Sequence, residues 1–119
     1  MLKTSVAAAS HHFQGILSNS DFDIFYHAPA LIVISAAAES PWAVEDCALA
    51  AENLMLTACA AGLGTCWIGF AQSWLGTPDG KAALKLSSTA VPVAPIIVGH
   101  PKTAGAPVPR KAPTIDWIS

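Results

Sequence analysis

The sequence predicts one small domain of mixed helix and strand, and three observations carry that expectation. Residues 28–38 and 91–98 are continuous apolar runs of strand length bounded by turn residues. Between them lies a long apolar segment with a helix start signal at one end and a glycine at the other. A length of 119 residues suffices for one hydrophobic core and is short for two.

Taken in order, residues 1–27 are the least organised. Val6, Phe13, Ile16 and Leu17 allow a helical turn or two, after which SNSDFD reads as a turn or cap. Residues 28–38 place Leu31, Ile32, Val33 and Ile34 consecutively, which predicts a sheet-centre strand covered on both faces. Ser40 is then the expected N-cap and Pro41 the first helical residue, with Glu45 and Asp46 near the positive end of the helix dipole. That helix should run to about Ala61 and stop at Gly62. Only Glu45, Glu52 and Asn53 form a polar side, so burial nearly all round is expected, and its alanines would admit another helix or a flat ring.

The segment GTCWIG reads as a short strand, followed by a helical or irregular turn at residues 72–75. Thr77-Pro78 repeats the cap-then-proline signal and predicts a short helix through about Leu86. Pro92 and Pro95 remove ladder donors from the last apolar run, so at least its first half should be an edge or irregular strand. Residues 101–119 are expected to be an extended arm, whose Val108, Ile115, Trp117 and Ile118 need a surface to cover.

Composition narrows the function classes. Hydrophobic residues make up 53% and charged residues 12%, with 23 alanines, which excludes general disorder and asks for either a membrane segment or a partner-covered surface. The uncharged stretch at residues 53–78 is long enough to span a bilayer, but its four glycines, Gln72 and Ser73 favour a buried helix followed by a strand. A net charge of -2 leaves no clustered cations for nucleic acid or an anionic membrane. Three cysteines without a CxxC pair, and no apolar run near the start long enough for a signal peptide, point to the cytoplasm.

The residues present no ready-made catalytic set. There is no GxSxG, and His11, His12, His27 and His100 lack metal-ligand spacing with any cysteine or carboxylate, so neither a catalytic residue nor a metal is assigned. The string GLGTCWIG, residues 62–69, runs helix to strand, the reverse of a dinucleotide fingerprint. It is either a helix stop with a tight strand entrance, or a place where backbone amides near Gly69 meet the edge of a planar ligand. Arg110 and Lys111 either grip a phosphate or are simply solvated.

Read together, FYHAPALIVIS, SPWAVEDCALAAENLMLTACAAGLGTCWIGF, PVAPIIVGHPK and PRKAPTIDWI resemble the flavin-dependent nitroreductase family over residues 26–118. The resemblance implies a single α+β domain over residues 1–119, with a central, mostly antiparallel sheet packed by helices, in a homodimer with FMN at the subunit interface. It implies that the long helix belongs to the dimer layer and that the arm, residues 101–119, crosses to the partner. Trp67, Ile68 and Gly69 would run past the isoalloxazine, a backbone N–H near Gly69 facing flavin N5, while Arg110, with Lys111, would hold the phosphate. Electrons would pass from NAD(P)H to a nitroaromatic or quinone-like acceptor. Residues 1–25 do not match the family's arginine-bearing N-terminal phosphate motif, and Arg110 is the single arginine of the chain. The resemblance therefore implies an N-terminally truncated chain, either a fragment of a longer protein or a naturally short member with weakened or lost FMN binding. The alternative is a catalytically silent dimer of the same fold that binds a small ligand or a protein partner.

Overall fold

The computed structural model describes Asp23 and residues 25–118. Six elements follow one another: β1 (Ala30–Ala36), α1 (Ala43–Ala60), β2 (Gly64–Trp67), α2 (Gly69–Leu75), α3 (Pro78–Ala83) and β3 (Val91–Gly99). The three strands form one antiparallel sheet in the order β1-β3-β2. The expected α+β architecture is therefore present, but the strands exchange the places the sequence suggested.

β3 is the central strand, and the apolar run of β1 lies on an edge. The continuous stretch Pro92–Ile97 is buried because it alone is covered on both faces. On one face α1 packs Cys47 and Ala51 against Val93, Ala94 and Ile96. On the other, Ile68, Ala71 and Leu75 of the α2 region pack against Ile97. Leu31 and Ile32 of β1 stay exposed.

The prolines are accommodated by the local ladder. Pro95 turns its carbonyl toward the β2 side, where it accepts from the Ile68 N–H at 2.8 Å, so the donor it lacks falls where β2 has already ended. Beside Pro92 the register slips, Ile34 pairing with Ala94 and Ser35 with Pro92, which leaves Val93 as the extra residue of a bulge. The expected irregularity is thus real, and the expected edge position is not.

α1 begins later than its sequence signal. Pro41 lies in a preceding turn, Trp42 occupies the cap position without a side-chain bond, and the Ser40 hydroxyl does not cap the helix. The stop is as expected: Gly62 is left-handed at φ 77°, its N–H donates to the Cys59 carbonyl, and the Leu63 N–H donates to that of Ala58. Burial is far from complete. Ala43, Cys47 and Ala51, spaced four apart, form the fully buried stripe, whereas Trp42 and Leu49 are 67% and 68% exposed.

The Thr77 signal holds. Its hydroxyl accepts from the Gly80 N–H at 3.1 Å and donates to the Trp74 carbonyl at 2.6 Å, and Pro78 opens α3, which ends at Ala83 rather than near Leu86. Beyond Gly99, residues 100–118 carry no helix or strand and are exposed. No helix among the described residues is long and apolar enough to cross a membrane. The expectations for residues 1–22 lie outside the described residues.

Candidate functional site

The strip Trp67-Ile68-Gly69 lies where β2 hands over to α2. Trp67 pairs with Ile96 and packs, half-buried, into the α1 side of the core. Ile68 is buried at 3% exposure, its N–H donating to Pro95 and its carbonyl accepting from Ala71 at 3.1 Å. The backbone at this corner is therefore held by both core and ladder. Gly69 emerges from it exposed, as the first residue of α2, with an N–H that takes no acceptor among the described residues.

Nothing among the described residues requires a glycine at position 69. A Cβ built there would meet nothing within 4 Å, and its φ lies outside the left-handed region. Open space beside an unclaimed amide is what the edge of a planar ring requires.

Arg110 and Lys111 lie on the extended arm, exposed, without a hydrogen bond or ion pair among the described residues. They line neither of two clefts on the domain. One cleft, of 440 Å³, is an apolar groove beside the C-terminal half of α1, walled by Leu54, Ala58 and Leu63 against Ile32 and Val98. The other, of 400 Å³, opens where Gly64 of β2 faces Gly99 of β3.

A feature of the second cleft was only partly legible. SNSDFD reads as a turn or cap, and its one described residue, Asp23, caps the turn at residues 25–27: its Oδ1 accepts from the Phe25 N–H and its Oδ2 from the His27 N–H, each at 2.9 Å. These backbone bonds hold the carboxyl below the usual aspartate range, His27 adding a smaller charge effect. Nothing in the sequence announced that Tyr26 and His27 would both be left-handed, at φ 53° each. Among the described residues no group of three or more His, Cys, Asp or Glu is placed to hold a metal.

A central antiparallel sheet with a long helix on one face and short helices on the other is an α+β architecture of the nitroreductase type. The sequence profile of the nitroreductase family matches residues 2–100, and the chain belongs to that family. The match takes in residues 2–25, which the motif resemblance leaves out, and ends before Arg110.

Solved structures agree. A nitroreductase with bound FMN from Bacteroides fragilis is 25% identical, with a TM-score of 0.82 over 99% of this chain and 66% of that one. An FMN-dependent nitroreductase from Clostridium difficile shares the fold at 19% identity and a TM-score of 0.74, covering 98% of this chain and 70% of that one. An oxidised iodotyrosine deiodinase bound to FMN and 3-iodo-L-tyrosine shares it at 18% identity and 0.67, over 98% and 64%. The chain thus spans less than two thirds of the Bacteroides and deiodinase chains. No curated protein matches it.

Proposed function

We propose that this chain is an FMN-dependent oxidoreductase that takes electrons from NAD(P)H and delivers them to nitroaromatic or quinone-like acceptors, working as a cytoplasmic homodimer. The observation that carries the reading is Gly69, an exposed, sterically open glycine with an unclaimed amide, held beside a buried anchor in a chain of the nitroreductase family. In this reading Trp67, Ile68 and Gly69 flank the isoalloxazine, and Arg110 with Lys111 holds the phosphate. FMN, when bound, supplies the redox chemistry. The chain supplies position, through the ladder bond from Ile68 to Pro95, and a donor at the Gly69 N–H.

One observation favours the silent-dimer alternative. A single arginine in 119 residues leaves few charge-assisted bonds for a phosphate, each worth about 1.5–3 kcal/mol.

The test is a titration of apoprotein with FMN and riboflavin, read by flavin fluorescence or calorimetry. FMN should bind the wild type, and Arg110→Ala should weaken FMN by about tenfold at low salt, and less at high salt, while riboflavin is almost unchanged. Gly69→Val should weaken both ligands, because its side chain enters the open space. No binding of either ligand at about millimolar concentration would leave the silent dimer as the reading. Equal effects of Arg110→Ala on both ligands would remove the phosphate assignment alone.

A further inference from the structure

From the cleft at the Gly64–Gly99 end of the sheet, we infer that the protein has a second small-molecule site, for a ligand carrying an anionic group on a flat apolar body. It lies at the far end of β2 from Gly69, about 10 Å along the strand from Trp67, and does not depend on the flavin reading. Its 400 Å³ falls within the range of small-ligand sites.

Three cationic or protonatable side chains, His27, His100 and Lys102, line the cleft, and among the described residues no carboxylate does. Asp23, the acid next to His27, is already engaged. One oxygen accepts from the Phe25 N–H; the other accepts from the His27 N–H and lies 3.1 Å from His27 Nδ1. That contact leaves Nε2 as the outer nitrogen of the ring, which donates to an anion in the imidazolium form, whereas Lys102 donates as an ammonium. Pro29, Pro101 and Ile97 provide apolar walls. Gly64 and Gly99 pair across the ladder, and the Pro101 and Pro29 rings close over them, Pro29 standing 3.0 Å from where a Cβ on Gly99 would lie.

The second observation is the backbone that presents His27. Two consecutive non-glycine residues, Tyr26 and His27, hold φ at 53°, a conformation that L residues adopt at a cost. Asp23 stabilises the turn, its carboxylate accepting from the Phe25 and His27 N–H groups and its carbonyl from the Tyr26 N–H. A straightforward strand entrance into β1 would need neither the strained pair nor its cap. The turn brings His27, ahead of β1, into a lining shared with His100 and Lys102, which follow β3. Convergent donors over an apolar floor distinguish an anion with an attached ring from inorganic phosphate or from a neutral ring.

The experiment is amide NMR of the full chain titrated with benzoate, phenyl phosphate, inorganic phosphate and neutral benzamide. Benzoate or phenyl phosphate should give saturable shifts at residues 26–29, 64–66 and 99–102 at about millimolar concentration, with benzamide and inorganic phosphate at least about tenfold weaker. His100→Gln combined with Lys102→Gln, both exposed, should weaken the aromatic anion by about tenfold or more at unchanged melting temperature. Lys102→Arg alone should retain binding. The inference is overturned if no aromatic anion saturates below about 10 mM, if benzamide binds equally, or if the double variant binds as the wild type does. Competition by FMN for the same shifts would also overturn it, by placing the probe in the flavin site.

Discussion

A methyl group added to Gly80 would be driven against the Trp74 carbonyl and would lie 2.7 Å from the Leu75 Cα. Neither is the end of a flexible side chain, so Gly80→Ala should cost about 1–3 kcal/mol in chemical denaturation, whereas Gly69→Ala should cost the free chain far less. The close approach of Gly80 to α2 is a tertiary fact. Cys47 is another such case. Burial first, and the Asp46 charge second, raise its pKa, so less of it is thiolate at a given pH. Iodoacetamide near about pH 8 should therefore label exposed Cys59 and Cys66 well before Cys47, as read by mass spectrometry, with the difference vanishing on unfolding. The same shift has a stability consequence: above the ordinary thiol value the unfolded chain releases a proton that the folded chain keeps, so this contribution falls as pH rises.

Thr77 shows how much a local signal can settle for an element. Its hydroxyl closes the first turn of α3 on Gly80, and the six-residue helix has little else to define its start. Thr77→Ala should cost about 1 kcal/mol by thermal denaturation, Thr77→Ser recovering most of it. α1 was legible at its glycine end for the same reason, since a left-handed residue and two backbone bonds need only local chain. Its start was less so: Ser40-Pro41 has the right chemistry, but the helix opens only at Ala43, the first residue of the stripe that lies on the sheet. Strand order was least legible. β1 and β3 are equally apolar, and which becomes central depends on what packs on their faces, information that neither strand contains.

The whole chain leaves much apolar surface without cover. Trp42, Leu49 and Leu56 on or beside α1 are exposed, as are Ile115, Trp117 and Ile118 on the arm, with Trp117 at 91%. The Cα radius of gyration is 16.7 Å, against about 13–14 Å for a compact domain of this length, as an outstretched arm requires. The composition asked for a partner-covered surface, and a homodimer with exchanged arms is the reading that uses both exposed sets. Light scattering at micromolar concentration should return about twice 12.3 kDa, and a stable folded monomer would defeat the reading. Deleting residues from 107 onward should lower the melting temperature and loosen the dimer. Unchanged melting and unchanged mass would mean that the arm is merely solvated.

The sequence by itself determined the elements, the Thr77 and Gly62 boundaries, the α+β class and the family, because these rest on local hydrogen bonding, apolar periodicity and a motif string. It also singled out Trp67-Ile68-Gly69 as a strip, with a backbone amide near Gly69 as the expected ligand contact. Only the tertiary structure separated Gly69, open to an outside body, from Gly80, closed by its own chain. It alone made β3 the centre, narrowed the buried face of α1 to one stripe, and brought His27, His100 and Lys102 from opposite ends of the described chain to one cleft. The reason is physical: local signals act through bonds between near neighbours, whereas burial and convergence are set by which distant surfaces exclude water together.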